Sequence, residues 1–258
     1  MTPETLVIDG CRILLRRFGQ GPNLLYLPEG SGANEDPAFL EALGRHFSVI
    51  LPDHPGFGGS QTPDWLRTVG DLAFFYLDLL DALDLSDLHV AGASLGGWIA
   101  AEMGIRRSPR LASLALIAPL GIKLKGVAMG DVFIWTPEEY ARNHFHDQGL
   151  ADRWLARPMD EAKEDAALYD MAGLSRLCWS PRFHNPVLPA WLHRIEPRTL
   201  ILWGEQDARV PQVYAKAWQD AIPGARLETL PACGHWPQIE APGALVAHLA
   251  AFARGDRT

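Results

Sequence analysis

Leu88-His89-Val90-Ala91-Gly92-Ala93-Ser94-Leu95-Gly96-Gly97-Trp98-Ile99-Ala100-Ala101 is the stretch on which the fold turns. Its first four residues are a short apolar run of the kind that fills a buried strand. From Leu95 to about Arg107 the pattern predicts a helix. Between them stands Gly92-Ala93-Ser94-Leu95-Gly96, the form G-x-S-x-G. A chain that passes from strand to helix this sharply forces the corner residue into a strained conformation. Glycines on either side let the backbones approach, and the serine hydroxyl is left projecting above the sheet. The Leu95 amide then opens a helix, has no intrahelical acceptor, and is free to donate to a developing negative charge. A Gly/Ser turn without chemistry has the same five letters. The strand before it and the helix after it favour a nucleophile.

The pattern extends in both directions. Leu6-Val7-Ile8 and Arg12-Ile13-Leu14-Leu15 flank Asp9-Gly10 and predict a hairpin. Leu24 to Leu27 and Ser48 to Leu51 are short buried-strand runs, each followed by a glycine-rich loop. Leu72, Phe75, Tyr76, Leu79, Leu80 and Leu83 recur at helical spacing. Strands are predicted again at Leu111 to Ala118, Arg198 to Trp203 and Ala225 to Leu230, with helices near Pro211 to Ala221 and at the C-terminus. This alternation predicts an α/β fold, a mainly parallel sheet with helices on both faces. It fails between Pro119 and His193. There only helical pieces, at Pro137 to Phe145 and Asp160 to Trp179, stand out among scattered prolines. The expectation is a core formed by residues 1–118 and 194–258 with an inserted helical cap at 119–193.

Composition narrows the function. The chain has 258 residues, 48% hydrophobic and 21% charged, with a net charge of −8. That is ordinary for a folded domain and poor for binding nucleic acid or an anionic membrane. No apolar run reaches about 18 residues, and the N-terminus shows no basic segment followed by an apolar one. The expectation is a cytoplasmic protein, monomer or homodimer, acting on a small molecule. Cys11, Cys178 and Cys233 form neither a disulfide framework nor a metal site with paired ligands. Nine tryptophans are many for this length.

A serine needs a base, and the base needs an orienting acid. Asp207 closes Trp203-Gly204-Glu205-Gln206-Asp207 directly after one strand, and His235 lies in Cys233-Gly234-His235-Trp236 directly after the next. Both therefore emerge at the same sheet edge as Ser94, where α/β proteins place ligands. Glu205 and Asp53 are alternative acids. The first reads better as a solvated loop residue and the second as a turn-fixing one. His144-Phe145-His146-Asp147 resembles a metal motif only superficially, because histidines two apart on a helix point in different directions. It reads as structural or solvated. Gly56-Phe57-Gly58-Gly59 lacks dinucleotide-binding spacing, and Cys233 reads as a small apolar wall residue rather than a reactive thiol. No metal and no cofactor is expected.

Taken together, Asp53-His54-Pro55-Gly56-Phe57-Gly58-Gly59-Ser60, Gly92 to Gly97, Trp203 to Asp207 and Gly234-His235-Trp236 resemble the α/β-hydrolase superfamily over nearly the whole chain. The inserted cap and the segment Ile195 to Gly204 look most like its esterase and meta-cleavage-product hydrolase branches. The resemblance implies Ser94 as nucleophile, His235 as general base then acid, and Asp207 as the orienting carboxylate. It implies an oxyanion hole made by the amides of Leu95 and, by position, Ser31. A serine at 94 argues against the dehalogenase and epoxide hydrolase branches, which use aspartate there. One departure stands out: relatives usually carry His-Gly where this chain has Glu29-Gly30. A carboxylate about 5 Å from a forming oxyanion would cost on the order of 3 kcal/mol at an effective dielectric of 20. Glu29 is therefore expected to turn away and bond loop backbone. The competing reading has it line the pocket and bind a cationic or hydroxylated group.

Trp98, Trp135, Trp179 and Trp236 fall beside the predicted triad or in the cap and are expected to wall an aromatic cleft, although packing alone explains any one of them. Arg176 and Arg182 are placed either to meet a substrate carboxylate or to pair with Asp165 or Asp170. The favoured function is hydrolysis of a small apolar or aromatic ester. The rivals are C–C hydrolysis of a vinylogous diketone acid, perhydrolase-type side activity, and a slow ligand sensor retaining a hydrolase pocket.

Overall fold

The structure is a computed structural model and describes residues 2–30 and 36–256. Ser31 lies outside the described residues. β1 (Glu4–Ile8) and β2 (Cys11–Phe18) form the predicted hairpin. Its turn residues Asp9 and Gly10 both have positive φ, 45° and 77°, as a two-residue turn of this hand requires. There follow β3 (Asn23–Leu27), α1 (Pro37–Gly44), β4 (Ser48–Pro52), α2 (Val69–Ala82), β5 (Leu88–Ala93), α3 (Leu95–Ile105) and β6 (Leu111–Ile117). After β6 come α4 (Pro137–His144), α5 (Gln148–Leu155), α6 (Glu161–Cys178) and two short 3₁₀ turns, Leu188–Ala190 and Leu192–Arg194. The chain closes with β7 (Arg198–Gly204), α7 (Val213–Ala221), β8 (Arg226–Leu230), the short α8 (Pro237–Glu240) and α9 (Pro242–Arg254).

The strands make one eight-stranded sheet in the order β1-β2-β4-β3-β5-β6-β7-β8. β1 and β2 are antiparallel, as are β2 and β4; every other pairing is parallel. Both faces are covered, which is why the central strands read as unbroken apolar runs. In β7, Ile201 and Trp203 join the core under α2, α3 and α7, while Leu200 and Leu202 join the core under α1 and α9.

Two helices lacked a clear sequence signal. α1 begins at Pro37 with the Asp36 carboxylate accepting from the Ala38 and Phe39 amides. α5 is eight residues long, capped by Asp147 on the Gly149 and Leu150 amides. Both are too short to show periodicity, and caps rather than pattern define them. No helix among the described residues is long and apolar enough to cross a membrane.

The sheet's centre depends on missing side chains. A methyl at Gly96 would collide with the Leu27 and Pro28 carbonyls, and one at Gly92 with the Gly96 carbonyl. One at Gly97 would meet the Gly92 carbonyl and the Pro119 ring less tightly, at 2.9 Å. These obstacles are mainly backbone atoms of neighbouring elements, which cannot rotate aside. Gly96→Ala is expected to lower unfolding stability by about 3 kcal/mol or more, the upper range for overpacking. Urea denaturation checks this against wild type.

Candidate active site

The β5–α3 corner holds Ser94 at φ 53° and ψ −109°. A non-glycine residue there is strained by about 1–3 kcal/mol and persists only where its surroundings fix it. They do: the Ser94 amide donates to Ile117 O at 2.8 Å, and its carbonyl accepts from Trp98 and Leu120 amides at 3.1 Å each. Asp207 lies in the loop after β7. One carboxylate oxygen accepts from the Arg209 and Val210 amides at 2.9 and 2.8 Å, and the other from His235 Nδ1 at 2.7 Å. His235 lies in the loop after β8, and its Nε2 is 3.1 Å from Ser94 Oγ. Sequence reading placed these three residues at one sheet edge, and the structure brings them into one hydrogen-bonded chain.

The chain is closed off: Ser94 and His235 are each 2% exposed and Asp207 5%. Burial, then the nearby Arg209 charge, holds the His235 imidazole well below its ordinary range. It is therefore neutral at pH 7. With Nδ1 facing the carboxylate, the Nε2 lone pair is directed at Ser94. Burial pushes the Asp207 carboxyl up, opposed by its two amide donors.

Glu29 does not turn away. Its Oε1 accepts from Ser94 Oγ at 3.2 Å and its Oε2 from Trp236 Nε1 at 2.8 Å. The expected repulsion is offset by a residue that sequence reading did not single out. Arg209, 1% exposed, forms an ion pair with the Glu29 carboxylate. Burial pushes the guanidinium down to about 9, still above neutrality. The carboxylate in contact favours the charged form. Glu29 thus acts as one end of a neutral pair rather than as a bare anion. Arg209 Nε and Nη2 are buried with no protein acceptor among the described residues.

His144 is the second residue the sequence left aside. It is wholly buried, with Nδ1 2.6 Å from the Tyr140 carbonyl and Nε2 3.1 Å from Arg209 Nη1. Its Nδ1–H therefore donates backwards, and its Nε2 lone pair accepts from the arginine. Burial and the neighbouring His235 hold its pKa well down, so it adds no charge. Its carbonyl accepts from the His235 amide at 2.8 Å. Arg209 follows Asp207 by two residues and Glu29 follows the end of β3 by two, so the sequence places both near one sheet edge without telling that they meet.

The remaining expected residues are placed as follows. Leu95 opens α3, and its amide has no intrahelical acceptor. Trp236 is buried and stacks on His144 at 4.3 Å between centroids. Trp135 meets His144 edge-on at 5.9 Å. Trp98 is buried, its Nε1 donating to Glu102 at 3.3 Å. Trp179 is 55% exposed, beside Phe133 and under the Arg182 guanidinium. Arg182 pairs with Asp131, not with Asp165 or Asp170, and Arg176 is exposed. Glu205 is exposed and accepts from Thr229. Asp53 pairs with Arg16 and accepts from the Gly59 amide, as a turn-fixing residue should. Burial pushes the Cys233 thiol up to about 12. No group of potential metal ligands occurs among the described residues.

A strained serine at the strand-to-helix corner after β5, with an acid after β7 and a histidine after β8, defines a hydrolase-type scaffold. The sequence profile of the alpha/beta hydrolase family matches residues 26–249, and the chain belongs to that family. It is 27% identical to a 2-hydroxy-6-oxo-6-phenylhexa-2,4-dienoate hydrolase of Burkholderia cepacia, over 90% of this chain and 88% of that one. It is also 27% identical, over 90% of its length, to the dihydrolipoyllysine-residue acetyltransferase component of the acetoin cleaving system of Cupriavidus necator. It spans only 64% of that protein. A mutant meta-cleavage product hydrolase from Pseudomonas fluorescens IP01 shares the fold, with a TM-score of 0.81 at 20% identity over 98% of this chain and 97% of that one.

Two outcomes are expected. Because the His235 pKa is lowered, its neutral form survives as pH falls through the ordinary imidazole value of about 6.5. In a kcat/KM profile the acid limb should lie below the ordinary imidazole value of about 6.5, and a limb at or above that value would refute the assignment. Arg209→Met strips Glu29 of its counter-charge. Turnover should fall by about two orders of magnitude, the kinetic equivalent of the ~3 kcal/mol Coulomb penalty, in protein shown by circular dichroism to be folded.

Proposed function

We propose that the protein is a serine hydrolase that cleaves a small apolar or aromatic carboxylic ester through an acyl-enzyme. The observation that carries this reading is the continuous Asp207–His235–Ser94 chain, at 2.7 and 3.1 Å, ending on a serine at positive φ. Ser94 Oγ attacks the carbonyl carbon as His235 Nε2 takes its proton. The Leu95 amide, and by resemblance that of Ser31, hold the oxyanion. His235 passes the proton to the departing alcohol. Water then attacks the acyl carbon, gives a proton to His235, and Oγ leaves and recovers it. Asp207 keeps the imidazole in the required tautomer and stabilises its charged form.

The segment 119–193 acts in this reading as a cap over the nucleophile. Its support is that α4 supplies His144 and that the site is closed to solvent. The wall nearest the triad is aromatic, Trp236, Tyr140 and Trp154 standing within 6.1 Å of one another, which suits an apolar or aromatic acyl group. A small-molecule substrate handled without a cofactor is consistent with this machinery.

C–C hydrolysis is the second reading. It is favoured by the buried Arg209, whose Nε and Nη2 have no acceptor among the described residues, and by the activity for which the Burkholderia cepacia relative is named. A fluorophosphonate probe should label Ser94 and not Ser94→Ala. Nitrophenyl acetate and benzoate should be turned over at least tenfold faster than a 2-hydroxy-6-oxo-dienoate. The reverse order assigns C–C hydrolysis. Labelling without turnover of either class assigns a ligand sensor. Failure to label folded protein removes the enzyme reading.

A further inference from the structure

Resting on that acyl-enzyme reading, we propose that Glu29 is a further catalytic residue, one that shortens the life of the acyl-enzyme by contact with Ser94 Oγ. Ser94 has one proton and faces two acceptors, His235 Nε2 at 3.1 Å and Glu29 Oε1 at 3.2 Å. Glu29 is not free to leave. Arg209 holds Oε1 and the Trp236 indole N–H holds Oε2 at 2.8 Å.

In the free enzyme the Ser94 proton is shared between these two acceptors, so the Glu29 contact carries part of a hydrogen bond. When the Oγ–C bond forms, the Oγ–H bond breaks, and the proton passes through His235 to the alcohol. Oγ becomes an ester oxygen with lone pairs only. It then faces a carboxylate oxygen with no donor between them, and a 3.2 Å separation has no room for a water. Both oxygens are held, so the repulsion persists for the life of the intermediate. Attack by water breaks the Oγ–C bond, returns a proton from His235 to Oγ, and restores the hydrogen bond. Glu29 thus favours Ser–OH over Ser–O–acyl, slowing acylation and speeding deacylation. Stabilisation of the oxyanion acts on both half-reactions alike. The ratio of the two rates therefore isolates the Glu29–Oγ contact from the general electrostatics of the pair.

Stopped-flow hydrolysis of p-nitrophenyl acetate reads that ratio, with intact-mass spectrometry of samples quenched in the steady state. Wild type should release nitrophenol linearly, with no burst and no acetylated Ser94. Glu29→Gln keeps the shape and removes the charge. It should give a burst approaching one equivalent, with acetyl-enzyme accumulating and the deacylation-to-acylation ratio at least tenfold lower. Because the Gln amide would oppose the Trp236 N–H, Glu29→Gln/Trp236→Phe is measured alongside, with folding followed by circular dichroism. A burst or accumulated acetyl-enzyme in wild type overturns the proposal without any variant. So do folded variants that remain acylation-limited. Wild type that neither releases nitrophenol nor takes the fluorophosphonate probe instead overturns the acyl-enzyme reading, and this proposal with it.

Discussion

Backbone pressed against backbone at Ser94 is the constraint from which the rest follows. The corner needs a left-handed residue, and that residue is held because Gly92, Gly96 and Gly97 let α3 seat on β3 and on the start of the β6–β7 segment. The Gly96 position touches the carbonyls of Leu27 and Pro28. Glu29 is the next residue, so the close approach that builds the Ser94 corner also delivers a carboxylate to it. A side chain at Gly96 would separate the two. The strain at Ser94 and the placement of Glu29 are thus one packing event.

That event creates an electrostatic problem, and the solution is local neutrality. A buried ion pair is a weak source of stability, because desolvation offsets the attraction. Its value here lies in what it cancels. Asp207 and Glu29 are two acidic groups beside one nucleophile, while His235 and His144 are both held neutral by burial. Arg209 is the cation among them. Its amide bonds Asp207, and its side chain bonds Glu29 and His144. One residue therefore touches both acidic groups from opposite ends of its own length. Burial and the Arg209 charge together keep His235 in its neutral form.

Much of this was legible in the sequence. Period and punctuation gave the strands, the insertion point after β6 and the chemical order of Ser94, Asp207 and His235, because each depends on local pattern and on the rule that sheet edges gather loops. Glu29 was misplaced for a physical reason: its repulsion was evaluated without its partner. Arg209 is 180 residues away in sequence, and no local signal tells which distant cation a carboxylate will meet. His144 was read only as half of a doubtful metal pair with His146, which the structure places beyond the end of α4. The histidine's role comes from packing on Trp236, which periodicity does not reveal. α1 and α5 were missed because a single capping carboxylate fixes each.

The segment between β6 and β7 is attached unequally at its two ends. At α4 the attachment is chemical as well as steric: the His144 carbonyl bonds the His235 amide, Glu240 bridges the amides of Asp147 and Gly234, and Gly234 has no space for a side chain. Displacing α4 would pull directly on the His235 backbone. α6 is held differently, by Asp170 on the Gly58 amide, by Tyr169 on Thr62 and the Ser60 carbonyl, and by its last turns, where Leu174, Leu177 and Cys178 join the main core and Gly173 lies against Gly56. Its first turns are solvent-exposed. Such bonds contribute about 1 kcal/mol each, and water replaces them when they break. The two ends therefore differ in what they hold. The α4 bonds run to the backbone of Gly234 and His235, next to the Asp207–His235–Ser94 chain, whereas α6 is bonded to the Gly58–Thr62 loop and packed into the main core.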